Sequence, residues 1–328
     1  MGSRRHFRYL DSRGDRITDE AKLERIDTLR IPPAWKDVWI SPNARANLQA
    51  TGLDAAGRRQ YLYHPDFRAA QEAAKYDKLV RFAEKLPEIR MAMGEHMTLD
   101  ALDPDRVCAV AIRLVNLAWF RVGSDRYARS SRTFGVTTLT KRHVTVRGTR
   151  VTFRFRAKHR SMIRRTLVDV ELAEALKELF ALDGARIFRY ERDGKLVNLT
   201  GSQLNDYIRR YMGDEFTVKD FRTWGGTLTA AVALAEAGVE ESEPAAKRRV
   251  AAVMRQVGEL LGNTPAVARA SYVSPAVVEQ YLDGRTIDDF RPRHLRVVKA
   301  RDIGLDDEEQ AVVSLLRSWR IRRSRAAA

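Results

Sequence analysis

The chain is poor in cysteine and in acidic residues. Its 328 residues include a single cysteine, Cys108, which excludes an internal disulfide and suits a reducing compartment. The 43 acidic residues are outnumbered by 59 basic ones, so the formal net charge is +16 and the pI is about 10.2. This balance argues against an acidic metabolic enzyme and predicts a polyanionic partner.

Long apolar segments are also missing. The opening MGSRRHFRYL leads into no apolar stretch, and the most apolar runs, such as AVAIRLVNLAWF, are short or contain charge. We therefore expect a soluble, cytosolic protein with no membrane partner.

Two common means of handling phosphate are absent as well. No G-x-x-x-x-G-K-[ST] segment is present, so we expect no nucleotide cofactor. The six histidines, from His6 to His294, are widely scattered, and with one cysteine they give no metal-ligand spacing, so we expect no metal. Chemistry on phosphate would then depend on cationic side chains, and 47 of the 59 basic residues are arginines, which can bind phosphate oxygens in pairs.

The sequence pattern changes near residue 70. Before that point, short apolar runs separated by turn residues predict a small β-rich domain over residues 1–68. From Ala69 onward, apolar residues recur at helical spacing. Residues 69–76 are therefore predicted to be a linker or the start of a first helix, and residues 77–328 to form a larger, mainly helical domain.

The larger domain combines further helices with one hairpin, so the predicted fold class is α+β. HVTVRGTRVTFRFRAK alternates on both sides of Arg147-Gly148-Thr149, which predicts a β-hairpin over roughly 143–157. The basic end RIRRSRAAA is expected to fray. Helices are predicted at 105–120, 172–181, 202–212, 219–237, 245–261, 274–282 and 306–319.

Chemistry on phosphate needs fixed positive charge, a nucleophile and a proton donor, and the larger domain offers candidates for each. Arg121 follows an apolar helix in LAWFRVGSDRYA, and Lys158 follows the second hairpin strand in FRAKHRSM. Arg222 lies early in a helix in VKDFRTWGGT, and Tyr272 comes nine residues after Asn263 in LGNTPAVARASYVSP.

Taken singly, these residues more often have ordinary roles. An arginine that ends a helix usually interacts with the helix dipole, and a lysine after a strand is usually solvated. An ordinary role is also the more common one for Arg222, although a cation early in a helix opposes the dipole and so weakens that interpretation. Composition and spacing by themselves reach a basic, two-domain, nucleic-acid-binding protein and go no further.

The order of these segments, together with RIPPAWKDVWISP and GRRQYLYHPDFR in the first domain, resembles the poxvirus-like type IB DNA topoisomerases, in particular their bacterial branch. The resemblance covers nearly the whole chain. It implies a monomeric two-domain clamp around double-stranded DNA, associated with the nucleoid. It also implies relaxation of supercoiled DNA by transient single-strand cleavage through a 3′-phosphotyrosyl intermediate, without ATP or metal.

The resemblance also implies roles for the candidate residues. Tyr272 resembles the nucleophile, Arg121 and Arg222 resemble the pair that holds the non-bridging oxygens, and Lys158 resembles the general acid that protonates the departing 5′ oxygen. Asn263 stands where the poxvirus pattern has histidine. Because asparagine can donate a hydrogen bond but carries no charge, we expect a smaller contribution from it.

Three residues of the first domain, Gln60, Tyr61 and Tyr63, match the stretch that contacts the DNA groove in this family. Gln60 can pair with adenine, while Tyr61 and Tyr63 offer stacking and phosphate hydrogen bonds. In a strand the two tyrosines share one face and Gln60 points to the other, so either one face meets DNA and the other the core, or a bulge intervenes. Arg58 and Arg59 are candidates for phosphate contacts.

Two other functions stay open at this point. A tyrosine recombinase uses a similar set of Arg, Lys, Arg and Tyr, but it normally has His-x-x-Arg where this chain has Lys219-Asp220-Phe221-Arg222. A non-catalytic architectural DNA-binding protein would explain the charge but would make the order of the motifs a coincidence.

Overall fold

The chain divides between residues 76 and 77 in the computed structural model, which describes residues 7–291 and 304–326. Residues 1–76 form the first unit and residues 77–328 the second. The prediction that residues 1–68 fold as a domain of their own stays a prediction.

Turn-separated strands build the first unit. Helix α1 (Glu20–Thr28) precedes three antiparallel strands, β1 (Lys36–Ile40), β2 (Leu48–Leu53) and β3 (Arg59–Tyr63), which pair in the order β1-β2-β3. Helix α1 is short and was not predicted, although Asp19 caps its first turn in the usual way. The β-rich character expected of this region is therefore correct, with one helix added.

Helices make up most of the second unit. The predicted helices are all present, with ends within a few residues of those expected except at the far end of the chain. None of the helices in the described ranges is both long and apolar enough to cross a membrane. The helices are α2 (Pro65–His96, which begins in the first unit), α3 (Pro104–Ala118), α4 (Asp125–Ser130), α5 (Val170–Ala181), α6 (Gly201–Met212), α7 (Val218–Ala237), α8 (Glu243–Leu261), α9 (Pro265–Ser271), α10 (Pro275–Leu282) and α11 (Asp307–Ala326).

The strands of the second unit form more than the predicted hairpin. Strands β4 (Val144–Arg147) and β5 (Arg150–Arg156) form that hairpin, and β6 (Met162–Val168) pairs with β5 to make a three-stranded antiparallel sheet. A second hairpin joins β7 (Arg189–Arg192) to β8 (Lys195–Asn198). Strand β6 was missed because two adjacent arginines interrupt the apolar and polar alternation of MIRRTLV.

The end of the chain is also more regular than predicted. Helix α11 continues to Ala326, so the expectation that the basic end frays is wrong for residues 320–326. The physical reason is side-chain pairing with α10, since Arg322 donates to both Gln280 and Asp283 at 3.3 Å and 3.1 Å.

Helix α3 lies at the centre of the second unit. It is buried on almost every side and contacts α5, α6, α7 and β7. This apolar burial, worth on the order of 25 cal/mol per Å² of apolar surface, fixes the direction in which α3 ends. The residues that follow its end carry the first candidate arginine.

A buried charge network ties α2, α7 and α11 together. Glu309 is 3% exposed and accepts two hydrogen bonds from Arg90, at 2.7 Å and 2.8 Å. The indole nitrogen of Trp224 on α7 donates to the same carboxylate at 3.1 Å. Burial alone would raise the pKa of Glu309, but the hydrogen bonds and charge of Arg90 outweigh it and hold the pKa below the ordinary 4.5.

We expect Glu309→Gln to lower the free energy of unfolding by about 3 kcal/mol, because it leaves Arg90 buried without a counter-charge. Since the pKa of Glu309 is depressed by folding, the carboxylate contributes fully above its unfolded pKa and less as the pH falls through its folded pKa. The difference in free energy of unfolding between the unsubstituted protein and Glu309→Gln, measured by urea unfolding, should therefore shrink below about pH 4. Asp307→Asn, an exposed change in the same helix turn, is the control, and an equal loss there would contradict the assignment.

Candidate active site

Two helix C-termini meet at the centre of the candidate site. Helix α3 ends at Ala118, where Trp119 takes a left-handed conformation with φ 52°, and α8 ends at Leu261, followed by Gly262 with φ 62°. The last carbonyl groups of a helix have no partners within it and carry the negative end of the helix dipole. Positive side chains are therefore favoured where these two ends approach each other.

Arg121 joins the end of one helix to the end of the other. It lies three residues beyond α3 and donates from Nη2 to the carbonyl oxygen of Gly262 at 3.1 Å and to Oδ1 of Asn263 at 2.5 Å. Its side chain is half-buried, and burial lowers its pKa from the usual 12.5. The guanidinium is thus held beside the segment that follows α8.

Arg222 reaches the same place from helix α7. It is 4% exposed, and its two Nη atoms donate to the carbonyl oxygens of Trp119 and Leu261, the latter at 2.8 Å. Its Nε atom is buried and has no hydrogen-bond partner among the described residues. Burial and the nearby charge of Arg121 lower the pKa of Arg222 to about 10.

Neither arginine is neutralised by a carboxylate of the described residues. None of the ion pairs between described residues involves Arg121 or Arg222, and their hydrogen bonds go to carbonyl oxygens. Carbonyl dipoles offset part of the cost of burial without cancelling the charge. The site therefore keeps positive charge that an anion can use.

Tyr272 lies beside both guanidinium groups. It caps the end of the short helix α9 and is half-buried. The centroid of its ring lies 5.0 Å from Cζ of Arg222. Burial alone would raise its pKa, but the charges of Arg222 and Arg121, with a contribution from Lys219, lower the pKa below the usual 10.0. The arginine charges make the phenolate easier to form than it is for an ordinary tyrosine, which suits a phenol that must lose its proton as it attacks.

Helix α7 also holds the backbone of this tyrosine. Thr227 donates from Oγ1 to the carbonyl oxygen of Tyr272 at 3.2 Å and accepts from the backbone N–H of Ser274 at 3.1 Å. A Cβ atom at Gly226 would lie 2.8 Å from the same carbonyl oxygen, so the close approach requires glycine there. Gly225 in turn packs directly on the ring of Trp119.

Asn263 is oriented by Arg121. Because its Oδ1 atom accepts from the guanidinium, its amide nitrogen is left as the donor, with only a long 3.5 Å contact to the carbonyl oxygen of Leu261. The structure thus brings together four of the five candidates from the larger domain, namely Arg121, Arg222, Asn263 and Tyr272.

Lys158 lies near this group but does not contact it. It begins a short 3-10 turn between β5 and β6, and its side chain is exposed. Ser161, in the same turn, donates to the Lys158 carbonyl oxygen at 3.0 Å, and its Oγ lies 3.5 Å from where a Cβ of Gly262 would be. The turn therefore lies against the end of α8, but no hydrogen bond links the Lys158 side chain to the other four candidates in the described structure.

The candidates of the first unit lie on and beside strand β3. Tyr61 and Tyr63 are 52% and 39% exposed and stack with their ring centroids 6.2 Å apart. The irregularity in the strand pairing falls in β2, between Leu48 and Ala50, so the alternation of β3 is kept and its tyrosine face is the exposed one.

The opposite face of β3 is already engaged. The Gln60 amide and the Arg58 guanidinium both donate to Oδ2 of Asp54, at 2.9 Å and 2.8 Å. The Arg58 side chain and backbone amides lower the pKa of Asp54 to about 2. Arg59 is exposed, with no ion pair to any described residue.

The described residues contain no group of three or more His, Cys, Asp or Glu side chains placed to hold a metal ion. His6 and His294 lie outside the described residues.

Comparison with known proteins supplies the family. Residues 64–289, more than half of the chain, match the family model described as the catalytic core of eukaryotic DNA topoisomerase I. Residues 6–54 match the N-terminal domain of bacterial DNA topoisomerase IB. The chain belongs to the type IB DNA topoisomerases. It is an isomerase that acts on DNA, as the resemblance of its motifs predicted.

Viral relatives agree with this assignment. The topoisomerase is 31% identical over 283 residues to the DNA topoisomerase 1B of Acanthamoeba polyphaga mimivirus, with 84% of each chain covered. It is 22% identical over 280 residues to the DNA topoisomerase I of Monkeypox virus and to the DNA topoisomerase 1B of Vaccinia virus (strain Copenhagen), covering 82% of this chain and 85% of each relative.

Sequence reasoning missed the glycine pair on α7. Gly225 and Gly226 lie in the interior of a helix, where each costs roughly 1 kcal/mol relative to alanine. Two such residues, three and four positions after a candidate arginine, were a readable signal that another part of the chain approaches the helix backbone closely.

Gly226→Ala should slow strand cleavage by this topoisomerase on the order of 10²-fold, because the added methyl group displaces the Tyr272 backbone. Single-turnover cleavage at saturating DNA measures the effect. Gly94→Ala is the matched control, since a Cβ at Gly94 meets nothing within 4 Å in helix α2, and that change should keep full activity. Full activity of Gly226→Ala would contradict the packing argument.

Spectrophotometric titration should reveal the lowered pKa of Tyr272. The difference in phenolate absorbance between the unsubstituted protein and Tyr272→Phe should titrate below pH 10, because the arginine charges favour the phenolate. The corresponding difference for Tyr207→Phe should titrate above pH 10, because burial raises the pKa of Tyr207. A Tyr272 component at or above pH 10 would show that burial outweighs the arginines.

Proposed function

We propose that this topoisomerase relaxes supercoiled duplex DNA by cutting one strand with Tyr272 and resealing it, without ATP or metal. The observation that carries the proposal is the position of the Tyr272 ring beside Arg222 and Arg121, two cations that have no carboxylate partner within residues 7–291 and 304–326. A phosphodiester placed there would meet a nucleophile with a lowered pKa and two fixed positive charges.

The proposed reaction exchanges one phosphodiester for another. The Tyr272 phenol loses its proton to solvent, its oxygen bonds to phosphorus as the bond from phosphorus to the 5′ oxygen breaks, and Lys158 gives a proton to that 5′ oxygen. The 3′-phosphotyrosyl link stores the bond, so the freed 5′ hydroxyl can attack it and restore the strand without an energy source. Rotation of the cut duplex between the two steps releases supercoiling.

Four side chains would act on the phosphate. Arg121 and Arg222 would bind the non-bridging oxygens, and the buried Nε of Arg222 is a donor with no partner among the described residues. The Asn263 amide, which makes only the long contact with the Leu261 carbonyl oxygen, would add one neutral hydrogen bond. Lys158 is exposed beside this group and would approach the leaving oxygen from the β5–β6 turn. Because these residues come from one chain, the proposed reaction needs no second copy, and we propose a monomer.

The first unit would bind duplex DNA through its aromatic face, and the two units together would form a clamp. Trp39 on β1 and Tyr61 on β3 both pair with Thr51 on the central strand β2, and with Tyr63 they place three exposed aromatic side chains on the two outer strands of this sheet. Such side chains can contact sugar and phosphate without reading sequence. Gln60 and Arg58 would have to exchange Asp54 for DNA before making the contacts predicted for them.

Tyr272→Phe should abolish both plasmid relaxation and the covalent adduct with DNA, while DNA affinity stays near normal, because only the attacking oxygen is lost. The assay is trapping of the protein–DNA adduct followed by mapping of the joined residue. Tyr281→Phe removes a buried hydroxyl from the next helix and should retain the adduct. An adduct with Tyr272→Phe would show that another residue is the nucleophile.

Tyr61→Ala should raise the Kd for duplex DNA on the order of 10-fold, equivalent to about 1.4 kcal/mol, because it removes part of the exposed aromatic face. The rate of cleavage at saturating DNA should stay unchanged, since the covalent step uses the second unit. Leu10→Ala, also exposed in the first unit, is the control. A changed cleavage rate with an unchanged Kd would contradict this division of roles.

A further inference from the structure

Arg165 occupies a position where strand alternation would place an apolar side chain. It lies on β6 between Ile163 and Leu167, which are half-buried on the same face, and it pairs across the sheet with the buried Phe153. Its neighbour Arg164 points to the exposed face. An inward arginine must offset the cost of leaving water, so its contacts indicate its role.

Those contacts are with the same two helix ends that hold the candidate site. Arg165 donates from Nη1 to the carbonyl oxygen of Ala118 at 2.8 Å and from Nη2 to the carbonyl oxygen of Leu260 at 3.0 Å. Its Cζ atom also lies 5.9 Å from the ring centroid of Phe120. The two carbonyl groups immediately precede those bound by Arg222, so the arginines form consecutive bridges between α3 and α8.

The bridge reaches a third element that Arg222 does not reach. Strand β6 begins four residues after Lys158, and it is the strand from which Arg165 extends. The end of α3 leads to Arg121, and the end of α8 leads to Asn263. Arg165 therefore connects the strand next to the Lys158 turn with the two helix ends that carry the phosphate-binding side chains.

Retaining a cation there has a cost that packing alone does not explain. The charge of Arg165 acts against that of Arg222 and adds to the lowering of its pKa. Both Nη groups of Arg165 donate to carbonyl oxygens of the two helix ends. A fixed bond between β6 and the helix ends is what the residue supplies.

We propose that Arg165 is a positioning residue that sets the Lys158 turn relative to Arg121 and Asn263, and so aligns the general acid with the departing 5′ oxygen. This inference rests on the proposed function, in which Lys158 is the acid. It predicts a loss confined mainly to the step that protonates the leaving group.

The experiment compares single-turnover cleavage of two duplexes that differ only in the leaving atom, the normal 5′ oxygen or a 5′ sulfur. A departing 5′ sulfur needs little protonation, so the sulfur substrate should be cleaved at a nearly normal rate even when the general acid is defective. Arg165→Met should slow cleavage of the oxygen substrate on the order of 10²-fold, while the sulfur substrate should react within about 10-fold of the unsubstituted rate. Arg165→Lys should cleave the oxygen substrate at a rate between those of Arg165→Met and the unsubstituted protein, because a single ammonium group replaces a guanidinium that bonds to two carbonyl oxygens.

Two controls separate the possible causes. Arg164→Met removes the adjacent, outward arginine and should leave both rates near normal. Lys158→Ala should show the same pattern as Arg165→Met, with slow cleavage of the oxygen substrate and recovery with sulfur. If the role of Arg165 were purely structural, Arg165→Met would lower the cleavage rates of both substrates alike, because fewer protein molecules would be folded.

The outcomes distinguish this inference from the proposal beneath it. If Lys158→Ala recovers with sulfur but Arg165→Met is equally slow on both substrates, or is not slow at all, the positioning role is overturned and the acid assignment stands. If Lys158→Ala shows no recovery, Lys158 is not the acid, and the positioning role falls with that assignment.

Discussion

The attraction between helix C-terminal carbonyl groups and arginine is the interaction on which the second unit's site depends. Helices α3 and α8 end at the same place, and their unpaired carbonyl oxygens would be costly to bury together. Arg121 and Arg222 donate hydrogen bonds to these oxygens, and no carboxylate among the described residues forms an ion pair with either arginine. The charge that completes the fold is therefore still present at the Tyr272 ring, where it lowers the pKa of the phenol.

This arrangement explains why single residues could not be assigned from the sequence. For Arg121, a contact with a helix dipole and a role in chemistry were treated as competing interpretations, yet the structure shows the dipole contact and places the same guanidinium near Tyr272. The helix concerned is α8 and not the helix that Arg121 follows. Arg222, early in α7, opposes its own dipole because it serves the ends of two other helices. The family resemblance named these residues as candidates. Only the fold shows why both are arginines, because each must donate hydrogen bonds at the ends of helices that are distant in sequence.

Periodicity predicted the elements well and their long-range partners poorly. Regular alternation located β4 and β5, and helical spacing located the main helices, because those signals are local. Strand β6 was missed where Arg164 and Arg165 break the pattern, and that irregularity marks a side chain committed to distant carbonyl groups. The pairing of Arg90 with Glu309 joins residues more than two hundred positions apart, which no local pattern can show. In the first unit, alternation correctly paired Tyr61 with Tyr63, but only the structure shows that their face is exposed.

The candidate nucleophile Tyr272 and the cation beside it depend on one helix. Helix α7 carries three residues that contact Tyr272: Arg222 lies beside its ring, Gly226 leaves room for its backbone, and Thr227 donates a hydrogen bond to its carbonyl oxygen. Helix α7 is fixed in turn by the bond from Trp224 to Glu309, so the spacing between phenol and guanidinium is set by folding. Lys158 differs, since its exposed turn is joined to this frame through β6. A site built in this way holds its charge and its proposed nucleophile before DNA arrives, and the placement of the proposed proton donor depends on how firmly one strand is attached to two helix ends.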